Sequence, residues 1–157
     1  MTSYDYRSLL SAVLVGLLAW GPGLQGAQDQ PGASKLNIVV LNGDGAINNI
    51  KSRTARETIV EVRDENNKPV AGASVVFLLP DSGPGVVGPN GSRMITTVTD
   101  SNGRAAARGL KPNSQAGKYN LQIRANYQQA FGQIVVAQSN IVAAGAAISG
   151  LTLAILG

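Results

Sequence analysis

The stretch Val60-Glu-Val-Arg-Asp-Glu-Asn-Asn-Lys-Pro-Val-Ala-Gly-Ala-Ser-Val-Val-Phe77 has the pattern of two β-strands joined by a polar turn. Apolar and charged residues alternate in its first part, and Ala73, Val75 and Phe77 share one face of its last part. The residues between them are typical turn formers. Two strands cannot bury a shared apolar face alone, so we expect the rest of the chain to supply a second sheet.

The same period of two recurs along the chain, between turns rich in glycine, asparagine and proline. In the clearest case Tyr119, Leu121, Ile123 and Ala125 alternate with polar residues. Residues 46–55 are predicted to be a loop, and residues 80–91 to be irregular apart from a brief pairing of two valines. The seven predicted strands are 36–41, 58–63, 73–79, 94–99, 104–109, 118–125 and 131–138. The sequence therefore predicts an all-β domain over residues 36–139, a β-sandwich of about seven antiparallel strands.

The N-terminal region has the features of an export signal. Residues 1–27 combine Arg7, an uncharged apolar run from Leu9 to Trp20, and a helix-breaking Gly-Pro-Gly, and are predicted to be a signal peptide. An uncleaved membrane anchor is the alternative. Residues 28–35 are predicted to be a linker, and the domain is expected to lie outside the cytoplasm, in the cell envelope.

The C-terminal residues 140–157 form an apolar segment in which 141–157 carry no charge. A 17-residue helix would be about 25 Å long, slightly less than a hydrocarbon core. Gly145 and Ser149 have the small-xxx-small spacing found in packed membrane helices. Three interpretations stay open: a membrane anchor, a span cut short because the chain is a fragment, and a tail that docks on protein.

Composition narrows the classes of function. The 157 residues include no cysteine and no histidine, which excludes disulfides, thiolate nucleophiles, the usual zinc ligands and the commonest general base. A formal net charge of +4 is spread along the chain and is explained by solubility. We expect no enzyme, no catalytic residues, no cofactor and no metal site.

The remaining polar groups give weak candidates for binding. Nine carboxylates occur mostly in turns or at outward strand positions, with no spacing typical of a paired-carboxylate hydrolase. Asp64–Asn67 and Asp100–Asn102 offer oxygen ligands for calcium, although neither matches an EF-hand and turn formation explains both. The carboxylates are Asp5, Asp29, Asp44, Glu57, Glu61, Asp64, Glu65, Asp81 and Asp100.

Four basic side chains are predicted to point outward: Arg104, Arg108, Lys118 and Arg124. No aromatic residues interleave with them, so nucleic acid is not expected as a partner. An anionic glycan or lipid head group is a further possibility for the same side chains. Loops 80–92 and 111–117 are candidate protein contacts, with Val86 and Val87 at the centre of the first. A flexible connection is the competing interpretation of that loop.

Three segments carry a resemblance to a known family. They are Val60-Glu-Val-Arg-Asp64 with Lys68-Pro-Val-Ala-Gly-Ala-Ser-Val-Val-Phe77, Thr97-Val-Thr-Asp-Ser-Asn-Gly-Arg-Ala105, and Gly117-Lys-Tyr-Asn-Leu-Gln-Ile-Arg-Ala125. In this order they resemble the bacterial immunoglobulin-like domains of Big-1 type, found in invasin and intimin, and the related carboxypeptidase-regulatory-like sandwiches. The resemblance covers residues 36–139 and lacks the Cys–Trp–Cys core of antibody domains.

The resemblance implies an immunoglobulin-like sandwich in which Tyr119 forms a tyrosine corner, its hydroxyl bonded to a nearby loop backbone. It also implies a structural or protein-interaction module displayed at the bacterial cell envelope, with a protein partner there. Membrane attachment through residues 141–157 is a possible addition. The alternatives are an adhesin-like or carbohydrate-binding module, for which only Tyr127 and Phe131 could form an aromatic face, and a subunit of a surface filament or multimer.

Overall fold

The computed structural model describes residues 34–143. The predicted signal peptide, residues 28–33 of the linker and residues 144–157 of the apolar segment, with Gly145 and Ser149, lie outside the described residues. The described chain forms ten β-strands in three sheets and contains no α-helix, which confirms the all-β prediction. The strands are β1 (Asn37–Asn42), β2 (Ile47–Asn49), β3 (Thr58–Arg63), β4 (Ser74–Leu78), β5 (Val86–Val87), β6 (Met94–Val98), β7 (Arg104–Ala107), β8 (Lys111–Pro112), β9 (Gly117–Tyr127) and β10 (Ala130–Ile141).

The seven predicted strands correspond to β1, β3, β4, β6, β7, β9 and β10. The prediction of a loop over residues 46–55 is wrong for β2, which pairs in parallel with the end of β10. Loop 111–117 likewise contains a strand, β8, which pairs with β5. Strands of two or three residues are too short to show a period, so neither could be recognised from the sequence. The parallel β2–β10 pair also departs from the predicted antiparallel arrangement.

Five strands form the larger sheet in the order β2-β10-β9-β4-β6, and three form the smaller sheet in the order β1-β3-β7. The smaller sheet is a curled half-barrel. Its register shifts between Val40 and Asn42, and a bulge of this kind bends a strand and increases its twist.

Both sheets contribute to one core. Val60 and Val62 of β3 are fully buried together with Phe77 of β4 and Leu121 and Ile123 of β9. Burying each of these side chains contributes roughly 1.5–3 kcal/mol. The alternation predicted for β4 and β9 is confirmed, because the predicted inward residues of both strands are buried.

The turn at residues 100–103 joins β6 to β7, but the two strands belong to different sheets. β6 pairs with β4, whereas β7 pairs with β3. The connection therefore crosses from the larger sheet to the smaller one and leaves a gap where a paired hairpin would have continued.

Candidate functional site

The two acidic turns that we considered for calcium are built alike. In each turn the aspartate, Asp64 or Asp100, accepts hydrogen bonds on one carboxylate oxygen from the backbone N–H groups two and four residues later, at 2.8 and 3.0 Å. The bond from the Arg104 N–H is the main reason why the pKa of Asp100 lies below its usual value. Within residues 34–143, no three acidic side chains are grouped so as to hold a metal ion. These carboxylates stabilise turns.

Glu61 was expected to point to solvent, but its side chain is only 10% exposed. Its Oε1 lies 2.7 Å from Nε of Arg63, and its Oε2 lies 3.7 Å from Nε of Arg104. A carboxylate away from water is stable only when it is paired, so these two arginines explain its position. Glu61 therefore organises the outer surface of the smaller sheet.

The four outward basic residues do not form one patch. Arg104 and Arg108 lie in and just beyond β7 of the smaller sheet, while Lys118 and Arg124 lie on β9 of the larger sheet. All four are exposed, as predicted. Arg104 and Arg108 are close together on the smaller sheet, whereas Lys118 and Arg124 are separated by six residues of extended strand, roughly 20 Å.

Loops 80–92 and 111–117 are fastened to each other rather than free. The side chain of Asn113 accepts the N–H of Gly85 at 3.2 Å and donates to the carbonyl of Gly83 at 2.8 Å. Val86 is fully buried in the core, so this residue is not available to a partner, and contact through the rest of the loop stays a prediction. The apolar valine is buried because β5 pairs with β8 and turns it inward.

Tyr119 is part of a buried cluster of side chains, here called the polar cluster: Asn48, Thr58, Tyr119 and Gln138. The Tyr119 hydroxyl accepts from Asn48 Nδ2 at 2.8 Å and donates to Gln138 Oε1 at 2.7 Å. Burial raises the pKa of this hydroxyl to about 12. The predicted tyrosine corner is therefore wrong in its partner, because the hydroxyl bonds side chains and not a loop backbone.

The sequence does not indicate the polar cluster, because it predicts a loop at Asn48 and only the end of a strand at Gln138. Every member of the cluster has a hydrogen-bond partner, and Gln138 Nε2 also donates to the carbonyl of Gly43 and to Thr58 Oγ1. The polar cluster thus joins β2, β3, β9 and β10 through hydrogen bonds between side chains. None of its four side chains is left without a partner and so available to a ligand.

The outer face of the larger sheet, here called the outer sheet face, exposes two apolar flanks. Met94 and Val98 of β6 are 55% and 60% exposed, and on the far side Val135 of β10 and Ile47 of β2 are 58% and 65% exposed. Between them runs a polar row on β9. Contiguous exposed apolar surface marks interaction sites, so the two flanks are candidates for such contacts. The row consists of Lys118, Asn120, Gln122, Arg124 and Asn126.

Tyr127 and Phe131 are both exposed but do not form a common aromatic face. In a strand, side chains alternate between faces, which places Tyr127 on the side of the inward residues of β9. Its ring lies near Gly72, whereas Phe131 belongs to the outward set of β10. The structure therefore gives the carbohydrate-binding alternative no stacking platform from this pair.

A cavity of about 420 Å³ occupies the gap between β6 and β7. We call it the edge groove; it is lined by Ile59, Thr97, Val98, Asp100, Arg104, Ala105, Ala106 and Arg108. The volume lies within the range of ordinary ligand sites. Apart from Asp100 and the two arginines, its walls carry small or apolar side chains. The side chains of Arg104 and Arg108 are 54% and 78% exposed.

Strand alternation predicts that Arg104 and Arg108 point outward, but it does not place them beside Val98. That proximity arises because β6 joins β4 instead of β7. Ala105 and Ala106, whose small side chains line one wall of the groove, are the signal in the sequence that could have indicated it.

No family model matches the chain, and no curated protein sequence matches it. Residues 34–143 contain no helix with the length and apolar character needed to cross a bilayer.

Proposed function

We propose that this protein is an exported, non-catalytic module of immunoglobulin-like type that serves a structural or protein-interaction role at the bacterial cell envelope. The observation that carries the proposal is the outer sheet face, where Met94, Val98 and Val135 remain exposed on a rigid sheet. The polar cluster and the two acidic turns serve the fold itself. The function proposed here therefore depends on surface residues, above all those of the outer sheet face.

The strand order supports the immunoglobulin-like assignment. Numbered over the seven main strands, the sheets have the orders 1-2-5 and 4-3-6-7. The constant-type immunoglobulin domain has the orders 1-2-5-4 and 3-6-7, so the two arrangements differ in the sheet that the fourth strand joins. Here the fourth strand is β6, and its transfer to the larger sheet leaves the edge groove open.

Export is tested with the full-length chain, tagged at its C-terminus and produced in a bacterium with two membranes. We expect the mature protein to lack residues 1–27 and to fractionate with the envelope. Removing residues 141–157 should release it if that segment is an anchor. An intact N-terminus on protein confined to the cytoplasm would contradict the proposal.

Interaction is tested by a photo-crosslinking amino acid at position 135 of the outer sheet face, compared with one at position 66 in an exposed turn. We expect a discrete crosslinked species in cells for position 135 and none for position 66. Monomer alone at both positions would contradict an interaction through this face.

A subunit of a multimer is a second candidate, favoured by the exposure of Ile47, Ile141 and Val142 close to the end of β10. The β2 edge beside them pairs on one side only within the described chain. Light scattering on the purified full-length protein decides this point: a multimer that dissociates in Ile47→Lys supports it, and a strict monomer refutes it.

A further inference from the structure

We infer that the edge groove binds an extended, acidic peptide segment of a partner protein, which adds as a strand to the free edge of β6. This inference rests on the proposed function as an interaction module and specifies its partner class. It uses a surface separate from the outer-face side chain of Val135 that carries the crosslinking test above.

About half of the backbone groups of β6 point away from the rest of the larger sheet. Thr99 donates its N–H to Ala73 on the β4 side, so by the alternation of an antiparallel ladder Thr96 and Val98 direct their N–H and C=O groups away from β4. Within residues 34–143, β6 has a paired neighbour on one side only. An edge of this kind is a template for an added strand.

Met94 is the third residue of β6 whose backbone N–H and C=O point away from β4, and these two groups already have a partner. The backbone N–H and C=O of Met94 are both bonded by the hydroxyl of Ser92, at 3.2 and 2.5 Å. The Ser92 side chain thus occupies the backbone groups of Met94. An incoming strand would therefore pair with Thr96 and Val98.

The edge groove provides space beside this edge of β6. Ala105 and Ala106 of β7 form the opposite wall, and their methyl groups leave room for another backbone. Residues at alternate positions of an added strand would meet Ile59 and Val98, which are apolar, or the groove opening. An extended chain with apolar and polar residues in alternation fits this arrangement.

Two arginines give the edge groove positive charge. Arg108 is 78% exposed and its only ion-pair contact within the described chain is Glu57, with Nε 4.0 Å from Oε2. Arg104 shares Glu61 with Arg63 and is 54% exposed. Asp100 also lines the groove and stays ionised at neutral pH, because the backbone N–H groups of Arg104 and Asn102 bond its Oδ1 and lower its pKa. Two arginines therefore face one carboxylate among the residues that line the groove. The two guanidinium groups retain donors that match carboxylates of a peptide.

The test uses the purified full-length protein and a fluorescent synthetic peptide of alternating valine and glutamate, with binding followed by anisotropy. The matched peptide carries glutamine in place of glutamate. Arg108→Gln is compared with Arg124→Gln, an exposed arginine on the outer sheet face. Thr96→Pro removes an edge N–H without removing a ladder bond, and Thr96→Ala is its control.

We expect the acidic peptide to bind, the glutamine peptide to bind about tenfold more weakly, and Arg108→Gln to lose a similar factor, as charged hydrogen bonds contribute. Arg124→Gln and Thr96→Ala should bind normally, and Thr96→Pro should not bind. No binding of the acidic peptide, equal binding of both peptides, or full binding by Thr96→Pro would overturn the inference.

If the protein instead self-associates and Thr96→Pro makes it monomeric, the edge pairs with a second copy, and the peptide inference fails. Should Thr96→Pro not fold, as judged by circular dichroism, the arginine pair and the two peptides still decide. Failure of these tests leaves export and the crosslink at position 135 unaffected, so it is distinguishable from failure of the proposed function.

Discussion

The hairpin β9–β10 and the connection β6–β7 both begin at a short turn, but only the first stays paired. β9 and β10 face each other through eleven residue pairs, from Ala130↔Tyr127 to Asn140↔Gly117. β6 and β7 share the turn at residues 100–103 and then separate into different sheets. The comparison shows that a strong turn sequence fixes where the chain reverses and leaves open which strands pair beyond it.

The separation has a local cause at the two ends of the turn. Before it, the Thr99 hydroxyl donates to the carbonyl of Val70 at 2.6 Å and accepts the N–H of Ala73 at 2.8 Å, which fastens β6 toward β4. After it, the carbonyl of Gly103 accepts the N–H of Val62 at 2.7 Å, which fastens β7 to β3. The turn is thus held by both sheets.

The largest loss of folding stability is expected from Gly103→Ala. Gly103 has φ of +73°, and a Cβ there would lie 2.7 Å from the carbonyl oxygen of Val62. Left-handed strain and this overlap together should cost roughly 2–4 kcal/mol of unfolding free energy, measured by urea denaturation. Asn67 holds the same place in the Asp64 turn with φ of +61°. It is exposed, so Asn67→Ala should cost only about 1 kcal/mol. Equal losses would show that the contact with Val62 is unimportant.

A smaller loss of folding stability is expected from Thr99→Val, which keeps the shape of the side chain but removes the hydroxyl. The Val70 carbonyl and the Ala73 N–H would lose a buried partner, at a cost of about 2 kcal/mol. Thr96→Val, on the exposed edge of the same strand, is the control and should change stability by less than about 0.5 kcal/mol. A neutral Thr99→Val would mean that the hydroxyl does not hold β6 to β4.

The smallest loss of folding stability at neutral pH is expected in the paired hairpin β9–β10. There Tyr119 and Gln138 are directly opposite each other and hydrogen-bonded. Tyr119→Phe should cost about 1 kcal/mol. The pKa of Tyr119 is about 12 in the folded protein against 10.0 for a free tyrosine. The unfolded chain therefore releases this proton first as the pH rises, and stability falls between pH 10 and 12. Denaturation curves of Tyr119→Phe should lack this part of the fall, while those of the exposed control Tyr127→Phe should keep it.

Much of the fold followed from the sequence because period-two alternation reports burial directly. β9 is the clearest case, since the inward set of Leu121, Ile123 and Ala125 was predicted and is fully buried. The short strands β2 and β8 could not be predicted, because their pairing depends on distant residues in β10 and β5.

The candidate site was less predictable than the fold. The outward positions of Arg104 and Arg108 followed from alternation, but the sheet that β6 would join did not. β6 is mostly apolar or β-branched on both faces, and its partner is decided by the bonds of Thr99 and Gly103 at the turn. The edge groove exists because β6 pairs with β4 and not with β7.

The separation of β6 from β7 is tested most directly by two pairs of introduced cysteines, in a chain that has none of its own. Continued pairing from Asp100 and Arg104 would place Thr96 opposite Arg108, within reach of a disulfide. In the paired hairpin, Gln122 lies opposite Val135. We predict that mild oxidation of the folded protein joins Gln122→Cys to Val135→Cys and leaves Thr96→Cys and Arg108→Cys as free thiols. Ready formation of the 96–108 disulfide would contradict the open groove and the account built on it.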